Sequence, residues 1–165
     1  MNRKPPRWLF NTHGYDFTRW GDAIDQAYRV IIPWAREGKP RTYTELIKDI
    51  PALDWEKGAW EHHGSQVGDL LGHVSAHEWL DGRPLLSALV VLSENHQASN
   101  SPGEGFFRLA RELNLPVAQT EMQRLEYWLA EIHACRKWWT EHPTDGVPDW
   151  RSHLAVPPSR SPASE

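Results

Sequence analysis

Leu85 to Leu92, LLSALVVL, is an eight-residue run that is apolar but for Ser87, and any fold has to be arranged to bury it. Gly82 and Pro84 stop whatever precedes it, and the β-branched pair Val90-Val91 favours a strand over a short buried helix. The next residues, Ser93–Gly105, are rich in Ser, Asn, Pro and Gly and lead back to Phe106-Phe107. This order predicts one buried strand, an exposed excursion, and a return that pairs back as the second strand of a short β-hairpin.

Three helices are expected before the run. Asp22 is placed to cap the first, whose apolar positions Ile24, Ala27, Tyr28, Ile31, Trp34 and Ala35 keep helical spacing; Pro33 falls inside it, and Gly38 and Pro40 close it. Thr42-Tyr43-Thr44-Glu45 is a capping box, in which hydroxyl and carboxylate satisfy reciprocal backbone donors, and it opens a short helix stopped by Pro51. Gly64 to Leu80 reads as the third helix. Val67, Leu70, Leu71, Val74 and Trp79 form its inward stripe, and His62, Ser65, Gln66, Asp69 and His73 its outward one. After the loop, a short helix over Gly105–Leu113 is followed by a second capping box at Thr120–Gln123. That box opens a long helix with Met122, Leu125, Leu129, Ile132, Cys135 and Trp139 inward.

A chain of 165 residues is long enough for one proper core. Residues 1–20, with Pro5-Pro6 and several aromatics, read as a strap over a domain spanning 21–142. Residues 143–165 read as a Pro/Ser-rich tail with too little apolar surface to order itself, although Trp150 and Leu154 are placed to dock locally. The fold class that follows is mainly α, a winged helix-turn-helix with a short β-hairpin and additional C-terminal helices. A mean hydropathy of −0.65 and the lack of any long apolar span argue against a membrane protein and for the cytoplasm. A single cysteine, Cys135, excludes an internal disulfide and a multi-cysteine zinc site. Net charge is −4, yet residues 1–48 hold nine Lys/Arg against five Asp/Glu, so a polyanion would be met by the first third.

The runs EGKPRTYTELIK, SQVGDLLGHV and RPLLSALVV, in that order over roughly residues 24–106, resemble the winged-helix half of alkylguanine-DNA alkyltransferases and their alkyltransferase-like relatives. The resemblance implies a winged helix that contacts DNA, with Tyr43 standing where that family has its phosphate-side tyrosine. It does not imply alkyl transfer, because the family's Pro-Cys-His-Arg is replaced by Leu86-Ser87-Ala88-Leu89. The family's helical arginine, which fills the gap left by an extruded base, falls at Ser65. The leading expectation is therefore a non-enzymatic, DNA-associated protein with a role in bacterial regulation, defence or mobile elements. The alternative is a protein–protein interaction module on the same scaffold, with a homodimer among its forms.

In the DNA reading Ser65, Gln66, Asp69 and His73 face base edges, Gln66 being suited to adenine. Residues 58–82 contain no Lys or Arg, so phosphate contacts would fall to Arg3, Lys4, Arg7, Arg36, Lys39, Arg41, Tyr43 and Lys48. The bland alternative is an ordinary solvated helix face. His73 and His77 have the four-residue spacing of a zinc pair, but Val74 stands where a metalloprotease needs glutamate, so no metal or other cofactor is expected. Glu94-Asn95-His96 lacks a third group at recognisable spacing, and Cys135 reads as a buried small hydrophobe rather than a nucleophile. No catalytic residue is assigned.

Overall fold

The computed structural model describes residues 3–53, 60–94, 97–98, 102–116 and 119–155; at 60–65, 93–94 and 97–98 it describes the backbone alone. Residues 54–59, which the sequence marks as irregular, Asn95-His96 of the acid/base candidate, part of the Ser93–Gly105 excursion and the last ten residues lie outside that set.

The architecture is mainly helical. In chain order it comprises α1 (Phe17–Glu37), β1 (Arg41–Thr42), α2 (Tyr43–Ile47), α3 (Trp60–Leu80), β2 (Val90–Val91), β3 (Ser93–Glu94), β4 (Gln97–Ala98), α4 (Glu104–Glu112) and α5 (Glu121–Glu141). α1 packs on both α3 and α5, and a 3-10 turn at Leu86–Leu89 is held between α3 and α5.

α1 starts earlier than expected. Asp16 rather than Asp22 is its cap, accepting the Arg19 amide at 2.8 Å, and this brings Trp20 and Gly21 into the buried face. Gly38 closes the helix at φ 69°, a left-handed turn for which glycine carries no Cβ penalty. Both capping boxes form as expected, Thr42 with Glu45 and Thr120 with Gln123.

The Leu85–Leu92 run is buried but is not one strand. The Leu85 amide donates to Glu131 at 2.7 Å, the Ser87 amide to the Ser75 hydroxyl at 3.0 Å, and the Ala88 amide to Leu85 O at 3.2 Å. With those donors spent on side chains and a turn, only Val90 and Val91 remain to pair, and they do so in parallel with Arg41 and Thr42. The expected return strand does not form: Phe106 and Phe107 lie in α4, and the antiparallel hairpin that is present pairs Ser93 with Ala98 and Glu94 with Gln97 within the excursion itself.

α5 departs from its expected stripe. Trp128, Cys135 and Trp139 are buried, whereas Met122, Leu125 and Leu129 are 63%, 40% and 51% exposed. Trp128 donates to Ala88 O at 2.8 Å and the Cys135 thiol to Leu85 O at 3.4 Å, so the helix is oriented by its grip on the 85–89 turn. Burial pushes the Cys135 thiol well above its ordinary range, as befits a packed group. At the helix end the Arg36 guanidinium donates to the carbonyls of Trp139, His142 and Asp145, tying the α5 terminus and the turn after it to α1.

Residues 143–155 belong to the fold rather than to a loose tail. Trp150 docks as expected: it is buried, its indole N–H donating to Asp25 at 2.7 Å, and Arg151 pairs with the same carboxylate at 3.0 Å. One aromatic anchor and an ion pair supply what the proline-rich composition lacks.

The two faces of apolar residues differ in energetic weight. Leu71→Ala should cost about 2–5 kcal/mol, because the side chain is buried and leaves a cavity. Leu129→Ala, on the exposed side of α5, should cost under about 1 kcal/mol. Urea denaturation of the two variants checks this, and equal losses would contradict the packing described.

Candidate functional site

A cleft of about 720 Å³ lies between α3 and α4, lined by Trp8, His13, Tyr43, Asp69, His73 and Arg108 among others. Gly68 and Gly72, one helical turn apart, add no side chains to the α3 wall beside Asp69 and His73; a Cβ at Gly68 would meet nothing within 4 Å. α4 supplies Glu104, Arg108 and Glu112 to the opposite wall. Glu104 is paired with Arg124 of α5.

The polar centre of the cleft is a chain of hydrogen bonds. Trp20 Nε1 lies 3.2 Å from His73 Nδ1, His73 Nε2 lies 3.1 Å from His13 Nε2, and His13 Nδ1 lies 3.2 Å from Asp69 Oδ2. An indole N–H only donates, so His73 Nδ1 must accept and its proton sits on Nε2. That proton is directed at His13 Nε2, which leaves the His13 proton on Nδ1, facing the carboxylate. Every link then has one donor and one acceptor. Burial, and secondarily the His13 charge, lowers His73 from 6.5 to about 3, which keeps it neutral.

A second chain of the same kind lies one turn further along α3. His77 Nδ1 is 2.8 Å from His153 Nδ1, and His153 Nε2 is 2.9 Å from Asp81 Oδ1. The carboxylate fixes the His153 proton on Nε2, so His77 donates from Nδ1. Burial first, then the proximity of His153, His73 and Arg83, lowers His77 to about 3 as well. Beside it the buried Glu78 receives Arg83 at 2.6 Å and lies 3.4 Å from the Tyr28 hydroxyl; burial raises its carboxyl to about 7 against the pull of Arg83.

His73 and His77 therefore do not form a chelating pair. Each is turned to a different histidine, one from the N-terminal strap and one from the C-terminal 3-10 turn at Trp150–Leu154. Among the described residues no group of three or more His, Cys, Asp or Glu is placed to hold a metal ion.

The proposed base-reading stripe is rearranged in the same way. His73 is 1% exposed, which corrects its assignment to the outward face: Trp20 and His13 draw it into the core. Gln66 accepts from the Tyr15 hydroxyl at 2.9 Å, and Asp69 is held by His13. Trp8 lies edge-on to His73 with ring centroids 5.6 Å apart. The strap thus covers the part of α3 that was expected to meet DNA. The Ser65 side chain lies outside the described set.

The cations are scattered. Arg3 donates to Trp79 O at 2.5 Å and lies over the Trp79 ring, at the far end of α3. Arg36 is spent on α5, and Arg41 lies 3.5 Å from Glu37 and 3.6 Å from Glu45. Lys4, Arg7, Lys39 and Lys48 are exposed and make no ion pair among the described residues. Tyr43 donates to Pro102 O at 2.8 Å, bracing the entrance to α4.

Sequence reasoning missed Trp8, His13, Asp81 and His153. The four-residue spacings Asp69–His73 on α3 and His77–Asp81 across its C-terminal end were a visible signal for carboxylate–imidazole chemistry. The bridging histidines, each about sixty or more positions away, carried none. No family model, curated protein or solved structure matches this chain.

The histidines make stability depend on pH. Between 6.5 and about 3 the unfolded chain protonates residues 73 and 77 while the folded chain does not, so stability falls as pH falls through that range. Glu78 acts oppositely: its folded value near 7 exceeds the ordinary 4.5, so its contribution grows as pH falls from 7 to 4.5. Two histidines outweigh one carboxyl, leaving a net loss of about 1.4 kcal/mol per pH unit near pH 5.5. Thermal melts should peak near pH 7 and drop through pH 5; a flat Tm over that interval would contradict the assignment.

Proposed function

We propose that this chain is a non-enzymatic protein-interaction module, built on a helical scaffold whose element order is that of a winged helix. The observation that carries the reading is the exposed ridge of Met122, Leu125 and Leu129 on α5. Three large apolar side chains at spacings of three and four residues lie side by side along a helix, forming a patch rather than scattered exposed residues. The closed hydrogen-bond chains in the cleft support the non-enzymatic part. His13 and His73 have both ring nitrogens engaged, so neither offers a lone pair to a substrate while the strap is in place.

A DNA-associated role is the second reading, and one observation favours it: exposed Lys4, Arg7, Lys39 and Lys48 remain available for phosphates. Base reading by Gln66, Asp69 and His73 fits less well, since Tyr15, His13 and Trp8 occupy that face.

Two measurements separate the readings. The first is fluorescence anisotropy with a mixed-sequence duplex at two salt concentrations. No binding tighter than the non-specific range of about 10⁻⁴–10⁻⁶ M is expected. The second is cross-linking with mass-spectrometric mapping, in purified protein and in extract, comparing wild type with Leu125→Glu/Leu129→Glu. Cross-links from Lys137 to other polypeptides should be lost in the variant. Tight, salt-steep duplex binding that Lys39→Glu/Lys48→Glu removes, together with no ridge-dependent cross-link, would replace the protein reading with the DNA one.

A further inference from the structure

The apolar ridge on α5 continues from Met122, Leu125 and Leu129 to the half-buried Ile132 and ends at Arg136. Alternating steps of three and four residues are the pattern by which two helices pack along their length. Charge is divided along this side of the helix. The N-terminal half carries exposed Glu121 and Glu126, and the C-terminal half exposed Arg136 and Lys137. The other charged groups leave that division intact. Arg124 is engaged by Glu104, the Glu131 carboxylate accepts the Leu85 amide, and Glu141 is the last helical residue, beyond the ridge. His133 lies in the cationic half.

We propose that the ridge is a self-association surface, on which a second copy of this chain packs its own α5 antiparallel to the first about a two-fold axis. This rests on the protein-interaction reading above and names its partner. Antiparallel packing sets ridge against ridge and brings Glu121 and Glu126 of each copy to Arg136 and Lys137 of the other. Because a two-fold contact is isologous, each such pairing occurs twice. A parallel arrangement would lay acid on acid and base on base, a juxtaposition that costs free energy. The two helix dipoles also oppose one another favourably in the antiparallel case.

The test is sedimentation equilibrium of the full chain from about 1 μM to about 1 mM, the range where one helix face should act. Wild type should convert from monomer to dimer across it. Leu125→Glu/Leu129→Glu should stay monomeric with unchanged circular dichroism and Tm, since both positions are exposed. Glu126→Lys should raise the dissociation constant several-fold at low salt, and Glu126→Lys combined with Lys137→Glu in the same chain should restore it. Wild type that is monomeric throughout, or a dimer indifferent to Leu125→Glu/Leu129→Glu, overturns self-association. The broader reading fails separately, if that double variant also keeps every cross-link made to other proteins in extract.

Discussion

The N-terminal strap and the Trp150–Leu154 turn both meet α3 at two histidines set one turn apart. A neutral imidazole buried among aromatic rings needs one donor and one acceptor, and the core around His73 and His77 does not supply them in full. Each takes a partner from outside the helix: His73 from His13 of the strap and His77, at Nδ1, from His153 of the C-terminal turn, the two partners being steadied by Asp69 of α3 and by Asp81 just beyond its end. The arrangement explains why segments with little apolar surface of their own lie in fixed positions. Trp20 and Trp150, drawn over the same two rings, add the buried area that hydrogen bonds alone would not provide.

This clamp also decides what α3 can do. A recognition helix must offer its polar side chains to solvent, whereas here Tyr15, His13 and Trp8 lie on Gln66, Asp69 and His73. The groups that gave the helix its DNA-reading pattern are those that bind the strap. The outward stripe was polar because it receives another part of the chain. That requirement produces the same residue types as base recognition, which is why the pattern alone did not separate the two.

Features set by local chemistry were legible in the sequence. Thr42 with Glu45, Thr120 with Gln123, Gly38 and the helical register of α1 each depend on neighbours within a turn or two, and each appears where the residues placed it. Features set by distant partners were not. The Leu85–Leu92 run has the composition of a strand, but Ser75 and Glu131 claim its amides, and neither is marked in the run itself. Residues 143–155 have the composition of a tail, and Asp25, more than a hundred positions away, gives Trp150 and Arg151 their seat. In the candidate site the α3 members were visible and the bridging histidines were not, for the same reason.

α5 shows how one apolar pattern can serve two surfaces. Its stripe runs Met122, Leu125, Leu129, Ile132, Cys135, Trp139, five steps that average fewer residues than a helical turn of about 3.6. Such a stripe winds around a straight helix and drifts roughly a quarter-turn over that length. A single flat core cannot cover both ends. The C-terminal end is fixed by Trp139, buried beneath Arg36, and by Cys135 against the 85–89 turn. Once that end is seated, the drift carries Met122, Leu125 and Leu129 off the core and toward solvent, while Trp128 takes the inward place beside them. The exposed ridge is thus a geometric consequence of how the buried end is held. A second helix following the same winding is the shape that would cover it.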